Sequence, residues 1–457
     1  MEVLYMSLCL ANSPLLEFER KLENQIVTYK DKNVLSLFSG CGGMDLGFEG
    51  GFQVLLDSIN KDINPHWITK RIDNNWCIVK QTRFKTVFAN DIREDAKLAW
   101  QTYFRKRNIS PDIYHLESIV DIVKKYQSKG VNPFPENIDI VTGGFPCQDF
   151  SIAGKRQGFN SNKSHMGTLS EDEPSVESRG QLYMWMREVI AITKPKVFVA
   201  ENVKGLVNLG DVKNVIENDF RNIGGNGYIV IPAKVLHAGE YGVPQMRERV
   251  IFFGFRRDSL TDKAIVELSR EKINEVYDPY PKRTHYLPNQ SADLFTLNNE
   301  EKLYKYVSVK RALIGLEEPE NSSDLAQQSY SKAKFMGKHC QGQTEINMHA
   351  LSPTIRSEHH GNIEFRRLSI ENGGKNIGEL NEGLAQRRLT VRECARIQTF
   401  PDDYDFVWSK AGNKKGLSAS SAYKIIGNAV PPLLAYHIAK RLEDNWELYF
   451  GENNDVC

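Results

Sequence analysis

The stretch "NVLSLFSGCGGMDLGFE" (residues 33–49) passes from an apolar segment through a glycine-rich turn into a helix-like segment. Gly40, Gly42 and Gly43 lie between the two segments. Glycine has no Cβ, so such a turn can bring its backbone close to a bound ligand. The stretch has neither the strict GxGxxG spacing nor the GK[ST] ending of a phosphate-binding loop. By itself it predicts a strand, a tight turn and a helix.

Four more apolar runs follow along the chain. They are "FKTVFAND" (84–91), "NIDIVTGGFP" (137–146), "PKVFVAENV" (195–203) and "ERVIFFGFR" (248–256). Runs rich in Val, Ile and Phe are typical of strands that are buried on both faces. Helix-like segments such as "YMWMREVIAIT" separate these runs. The pattern predicts an α/β fold with a doubly wound, mostly parallel sheet.

Length and composition set the broad class. The 457 residues are enough for two or three domains, and 40% hydrophobic with 26% charged residues is typical of globular proteins. No apolar run reaches 18 residues, and the N-terminus lacks a basic start, so neither a membrane span nor a signal peptide is expected. The seven cysteines show no paired spacing, which argues against a disulfide framework or a metal site.

Composition also predicts a division into domains. We expect an N-terminal extension over residues 1–30, a ligand-binding domain over 31–256 and a smaller inserted domain over 257–400. Residues 401–457 would return to the first domain. The inserted domain is predicted because residues 257–385 are polar and irregular.

The return segment ends in "AYKIIGNAVPPLLAYHIAKRLED" (422–444), where we expect an amphipathic helix that packs on the first domain. Two insertions, residues 57–85 and 155–179, are predicted as long loops. Long loops of this kind are either functional lids or solvated segments.

Two motifs could place a thiol and a carboxyl in one crevice. In "TGGFPCQDFS" (142–151), a proline precedes Cys147, and a helix start after it would lower the thiol pKa. Glu201 and Asn202 end the next strand, and the carboxyl ends of parallel strands share one edge. Taken singly, Cys147 is equally an inert turn residue and Glu201 a helix-capping acid.

Two further motifs concern ligand binding. Asp91 ends a strand at the position where an acid binds the ribose diol of a nucleoside cofactor, although a plain surface acid is the alternative. Gln245, Arg247 and Arg249 alternate, so they are predicted on one face of a strand. Two like charges on one face favour an anion or a hydrogen-bond acceptor nearby, unless the strand is a solvated edge.

In this order, the motifs resemble those of the DNA cytosine-5 methyltransferases, notably the bacterial modification enzymes. The resemblance covers residues 33–254 and 387–443. "RRLTVRECARIQTFPDDY" and "YKIIGNAVPP" are similar to the last two motifs of that family. The chain departs from the family in "LHAGEYGVPQ", which has His237 where Asn often precedes Ala, and in a longer loop after the cysteine.

The resemblance implies a reaction in which Cys147 adds to C6 of cytosine and Glu201 contacts N3. Arg249 would contact O2, and Arg247 would line the same site. S-adenosylmethionine would be the methyl donor, and no metal is implied. The implied cofactor contacts are Phe38, Ser39, Gly40, Gly42, Gly43, Asp91, Ile92, Ser118, Pro146, Leu182, Asn428 and Val430, with Glu117 open as an alternative to Ser118.

The resemblance also implies a partner and a setting. The substrate would be double-stranded DNA, from which the target cytosine flips out, and the enzyme would be a cytoplasmic, nucleoid-associated bacterial monomer. It would protect host DNA in a restriction-modification system whose endonuclease acts separately. The alternatives are a transfer-RNA cytosine-5 methyltransferase and an inactive DNA-binding homologue. The polar segment "LSPTIRSEHHGNIEFRR" (351–367) favours readout of DNA bases.

Overall fold

The computed structural model describes residues 30–146, 182–208, 211–224, 227–288, 302–337, 339–357, 360–407 and 416–451. The strands in these ranges are β1 (Lys32–Leu37), β2 (Gln53–Leu55), β3 (Ile68–Arg71), β4 (Trp76–Val79), β5 (Phe84–Asp91), β6 (Tyr114–Leu116), β7 (Ile140–Gly144), β8 (Val197–Val203), β9 (Tyr228–His237), β10 (Glu248–Arg256), β11 (His285–Tyr286), β12 (Tyr304–Lys305), β13 (Phe365–Arg367) and β14 (Arg387–Arg388).

The α-helices in the same ranges are α1 (Gly43–Glu49), α2 (Glu94–Phe104), α3 (Ile119–Lys129), α4 (Leu182–Thr193), α5 (Val212–Arg221), α6 (Asp262–Leu268), α7 (Val309–Ala312), α8 (Leu325–Gln328), α9 (Ile377–Asn381), α10 (Val391–Ile397), α11 (Ala419–Asn428), α12 (Pro432–Asp444) and α13 (Trp446–Phe450).

Seven strands form the central sheet in the order β6-β5-β1-β7-β8-β10-β9. The neighbours from β6 to β8 are parallel, whereas β10 is antiparallel to both β8 and β9. The predicted doubly wound, mostly parallel α/β fold is therefore confirmed. Because β10 is reversed, its first residues lie at the same edge as the last residues of β1, β5, β7 and β8. Ligands bind at this edge in folds of this class.

Successive residues of the central strands enter two different hydrophobic cores. Val34 and Ile140 belong to the larger core, whereas their neighbours Leu35 and Val141 belong to the core on the other side of the sheet. Alternate side chains of a strand point to opposite faces, so both faces must be covered. This burial explains why the strands appear in the sequence as continuous apolar runs.

Residues 57–85 are not the structureless loop that we predicted. β3 and β4 lie in this segment and form a three-stranded antiparallel sheet with β2. Cys77 and Val79 alternate with more exposed neighbours, and Trp67 packs on Tyr436 with ring centroids 5.0 Å apart. The signal that the prediction missed was the alternation of more and less polar residues with a period of two. The other predicted loop, residues 155–179, lies outside the described residues.

The second domain is built from short elements joined by ion pairs. β11 pairs with β12 and β13 pairs with β14, and each pair forms a small separate sheet. Glu318 binds Arg367 and Arg387, each with a nitrogen–oxygen distance of 2.9 Å. The first part of the predicted domain packs on the central sheet, where the Tyr280 hydroxyl donates to Ile251 O at 2.8 Å. The domain boundaries remain a prediction.

Helix α12 of the C-terminal segment packs on α1 beside the central sheet. α12 crosses α1 so closely that a Cβ on Gly47 would lie 2.4 Å from the Ala435 Cβ. The helix is buried on more sides than the amphipathic pattern suggested, because Trp67 also packs against Tyr436 and His437. Among the described helices, none combines the length and the apolar character needed to cross a membrane.

Candidate active site

The glycine-rich turn between β1 and α1 has a left-handed backbone at three positions. Phe38, Gly40 and Gly42 have φ angles of 53°, 54° and 77°. Ser39 N donates to Asn90 O at 2.8 Å, which fixes the turn against the end of β5. A residue with a Cβ pays roughly 1–2 kcal/mol for this conformation. Phe38 is therefore a strained position that its neighbours must hold.

Two of the glycines allow close packing, and the third faces open space. A Cβ on Gly42 would lie 2.5 Å from Trp100 Cδ1, and one on Gly43 would lie 2.3 Å from Val430 O. A Cβ on Gly40 would meet no atom within 4 Å. The turn thus has tightly packed sides and an open front. That shape fits a ligand such as S-adenosylmethionine, which would touch the backbone there.

A buried carboxyl beneath the turn was missed by the sequence reasoning. Asp45 Oδ1 accepts from Ser36 Oγ at 2.5 Å, and Asp45 Oδ2 accepts from Trp100 Nε1 at 2.7 Å. Ser39 Oγ extends the network by donating to Ser36 Oγ at 2.9 Å. Burial raises the pKa of Asp45 to about 7. The signal was an acid in the first turn of a mostly apolar helix.

Asp91 lies at the end of β5, beside the open front of the turn. Asp91 Oδ2 accepts from Gly40 N and Oδ1 accepts from Arg93 N, both at 3.0 Å. Burial raises the pKa of this carboxyl, while the two backbone N–H groups oppose the rise. The side chain of the next residue, Ile92, is 38% exposed. A carboxylate beside an exposed apolar side chain suits a ribose and an adenine ring.

The next candidate contact lies where β6 meets α3. Ser118 is buried and accepts from Val120 N at 3.3 Å as the N-cap of α3. Glu117 is half-buried and forms an ion pair with Lys125. Asn90 Nδ2 donates to Glu117 O at 2.7 Å, which ties this corner to the end of β5. The structure places both candidates at the corner, and the choice of Ser118 stays a prediction.

The remaining predicted cofactor contacts lie on three other segments. Pro146 is half-buried after β7, and Leu182 is buried at the start of α4. Asn428 is exposed at the end of α11, and Val430 is buried, with its carbonyl against Gly43. The C-terminal segment therefore contacts the glycine turn directly. The roles of these residues in cofactor binding stay predictions.

Glu201 and Arg249 form a buried pair at the same edge of the sheet. Arg249 Nε lies 2.6 Å from Glu201 Oε1. Burial raises the pKa of Glu201, while the charges of Arg249 and Arg247 oppose the rise. A Cβ on Gly144, the last residue of β7, would lie 2.9 Å from Glu201 Oε2. The carboxyl thus lies against the strand that leads towards the predicted thiol.

Cys147, the predicted nucleophile, lies outside the described residues. The structure does describe the chain up to Pro146, one residue before it. Asn202 Nδ2 donates to Phe145 O at 3.2 Å, so β8 holds the backbone immediately before the cysteine. Gly144 and this hydrogen bond therefore hold the chain segment before the cysteine close to Glu201.

Arg247 and Gln245 do not lie on the strand with Arg249, contrary to the sequence prediction. β10 begins at Glu248, and Met246 N donates instead to Ser352 O at 2.8 Å. The side chains of Arg247 and Gln245 are fully buried. The Arg247 guanidinium donates to backbone carbonyls, as described below. Its contact with the reacting base stays a prediction.

The chain is similar to known proteins over most of its length. A family model described as C-5 cytosine-specific DNA methylase matches residues 32–444. The chain is 34% identical to the Type II methyltransferase M.BspRI of Lysinibacillus sphaericus, and the match covers 95% of this chain and 87% of that protein. It is 31% identical to the Type II methyltransferase M.BsuRI of Bacillus subtilis, with 92% and 81% covered.

Solved structures show the same fold. The S. pombe Dnmt2 methyltransferase aligns with a TM-score of 0.50 at 15% sequence identity, over 91% of this chain and 99% of that chain. At this identity the match supports the fold alone.

Proposed function

Since this chain belongs to the family of C-5 cytosine-specific DNA methylases, which transfer a methyl group from S-adenosylmethionine to C5 of cytosine in DNA, we propose that Cys147, Glu201 and Arg249 perform this reaction. The observation that carries the proposal is the buried Glu201–Arg249 pair beside Gly144, on the approach to the cysteine. The substrate is a cytosine flipped out of a specific duplex sequence, because a stacked base hides its ring from attack.

Cys147 is the nucleophile in this proposal. Cytosine C5 is a poor nucleophile until a thiolate adds at C6 and pushes electron density towards C5, N3 and O2. Glu201, protonated in its buried position, donates to N3 and accepts from the 4-amino group. Arg249, which is held on Glu201, donates to O2, where negative charge also develops. After C5 has been methylated and its proton removed, Cys147 leaves C6.

The glycine turn, Asp91 and the C-terminal segment hold the methyl donor in this proposal. Bound S-adenosylmethionine supplies an electrophilic methyl group. Asp91 accepts hydrogen bonds from the ribose diol, and the open front at Gly40 admits the methionine part. Phe38 and Ile92 border the adenine. The Val430 carbonyl packs against Gly43 on the side of the turn away from its open front.

Transfer of a labelled methyl group tests the substrate. The protein is incubated with labelled S-adenosylmethionine and either unmethylated duplex DNA or transfer RNA. We expect label in the DNA. Incorporation into RNA alone would support the transfer-RNA alternative, and no incorporation into either would support the inactive homologue.

Covalent trapping tests the nucleophile. With S-adenosylmethionine present, methylation of 5-fluorocytosine in duplex DNA leaves fluorine at C5 in place of the proton that must be removed, so the thiol cannot leave C6 and the adduct persists. We expect a complex that survives denaturation, and that is absent from Cys147→Ala. Cys340 is a half-buried thiol of the second domain, so Cys340→Ala is the matched control and should trap normally. A trap that persists in Cys147→Ala would refute the assignment.

We also propose that the protein works as a monomer in the bacterial cytoplasm, on nucleoid DNA. There it would protect host DNA from a separate endonuclease. Two of its relatives carry the name Type II methyltransferase, which belongs to restriction-modification systems. Sequencing the methylated cytosines of a host that expresses the chain would identify the protected sequence. Methylation scattered without a common sequence would contradict this role.

A further inference from the structure

Arg247 lies where three distant segments of the chain meet. Its Nη1 donates to Ile355 O at 3.0 Å, and its Nη2 donates to Gly427 O and to Ala429 O, both at 2.8 Å. Ile355 belongs to the second domain, whereas Gly427 and Ala429 belong to the C-terminal segment. The guanidinium is a rigid fork of N–H donors, so its three bonds fix these segments relative to one another.

Two glutamines connect the same segments a second time. Gln245 Oε1 accepts from Ile355 N at 2.9 Å, and Gln245 Nε2 donates to Gln398 Oε1 at 2.5 Å. Gln398 Nε2 in turn donates to Ile426 O and Ala429 O, both at 2.9 Å. Gln245 and Gln398 are fully buried, so these hydrogen bonds have no competition from bulk water.

Close backbone contacts extend the network to the cofactor turn. A Cβ on Gly427 would lie 2.1 Å from Arg356 O, so the second domain lies directly on the end of α11. Three residues further on, Val430 O would lie only 2.3 Å from a Cβ on Gly43. A shift of residues 355–356 must therefore move residues 427–430, and with them the wall of the glycine turn.

We propose that Arg247 is a positioning residue that couples DNA binding by the second domain to S-adenosylmethionine binding at the glycine turn. The inference rests on the proposed function, since it takes DNA as the ligand of the second domain. Arg247 also lies two residues before Arg249, which pairs with Glu201. Coupling between two binding sites is reciprocal, and is typically 5- to 150-fold in affinity.

The coupling is measured as a ratio of two dissociation constants. S-adenosylhomocysteine is titrated into the full chain, alone and with saturating unmethylated plasmid DNA. We expect binding at least about fivefold tighter with DNA in the wild type. In Arg247→Lys the single ammonium cannot reproduce the fork, and the ratio should fall to within about twofold of one.

Arg249→Lys is the matched control, because it makes the same exchange two residues away. It should lose turnover and keep the wild-type ratio, a split that a purely structural defect would not give. Gln398→Leu removes the second connection and should also lower the ratio. Thermal melting checks that each variant is folded.

An unchanged ratio in folded Arg247→Lys would overturn the inference, and so would a wild-type ratio of one. If the wild-type protein methylates duplex DNA but has a ratio of one, the coupling is refuted and the proposed function is not. A wild type that methylates no DNA refutes the proposed function instead.

Discussion

Two carboxyl groups of this molecule, the buried Glu201 and the half-buried Glu318, bind arginine and have pKa values shifted in opposite directions. Glu201 in the crevice has one directly bonded arginine, Arg249, and burial raises its pKa. Glu318 in the second domain bonds both Arg367 and Arg387. Burial alone would raise the pKa of Glu318, but the hydrogen bonds and charges of the two arginines outweigh it and lower the pKa to about 2.

Glu201 is almost fully buried, whereas Glu318 is half-buried and bonds a second arginine, and both differences favour the charged form of Glu318. Glu318 is fixed as an anion that joins β13, β14 and the chain before α8. Glu201 is left able to carry a proton, which a donor to cytosine N3 requires.

Glu201→Gln should impair catalysis more than any other substitution considered for these two carboxyls. The amide preserves the shape of the side chain but has no acidic proton to give. We expect kcat for methyl transfer to fall by roughly 1000-fold, within the range for loss of a general acid. The measurement is steady-state transfer of labelled methyl to duplex DNA, with binding of S-adenosylhomocysteine as the folding control. A kcat within tenfold of the wild type would refute a proton-donating role.

Glu318→Gln should act on stability instead. The substitution removes the anion that Arg367 and Arg387 share, while Arg367 keeps Glu379 and Arg387 keeps Glu393 as partners. We expect a loss of about 2 kcal/mol in the free energy of unfolding, as for charged hydrogen bonds. Urea denaturation measures the cost. The kcat of the folded fraction should stay near the wild-type value. A lower kcat for Glu318→Gln at unchanged stability would contradict a purely structural role for Glu318.

Gly144→Ala should move the Glu201 carboxyl without changing its chemistry. The new Cβ would lie 2.9 Å from Glu201 Oε2, so the carboxyl must shift. We expect kcat to fall roughly 10-fold, since small misplacements of catalytic groups are costly. Gly378→Ala is the control, because a Cβ there meets no atom within 4 Å. Equal kcat values for the two variants would place Glu201 outside the reaction.

Glu318 and Asp45 should make the free energy of unfolding depend on pH in opposite directions. Glu318 has a folded pKa below the ordinary 4.5, so its stabilisation is present above pH 4.5 and is lost as the pH falls towards 2. Asp45 has a folded pKa raised from 3.8 to about 7, so its contribution is full below pH 3.8 and is lost as the pH rises through 7.

Unfolding by urea at several pH values measures both dependences. The free energy of unfolding of Asp45→Asn should rise relative to the wild type by roughly 1 kcal/mol per pH unit between pH 5 and pH 7. The deficit of Glu318→Gln should shrink as the pH falls below 4.5. Parallel wild-type and Asp45→Asn curves between pH 5 and pH 8 would contradict the assigned pKa of Asp45.

Local pattern was enough to predict the glycine turn and five of the seven central strands, but not β6 and β9. It also placed Asp91 and Glu201 at strand ends, because strand ends share an edge in this fold. The position of Arg247 could not be predicted in this way. Its alternation with Arg249 suggested one strand, but its partners lie more than 100 residues away. Asp45 was missed for a similar reason, since its hydrogen bond to Trp100 spans 55 residues.

The reversed direction of β10 also determines how recognition domains can be exchanged between relatives. The chain leaves β10 at the edge opposite the site, then runs along the flank of the sheet before it reaches the second domain. On this flank, the Tyr280 hydroxyl donates to Ile251 O and Arg441 Nε donates to Asp278 O, both at 2.8 Å. A chimera joined at residue 257 would replace these contacts with foreign ones. A junction near residue 284 keeps the flank native and transplants only the residues beyond it.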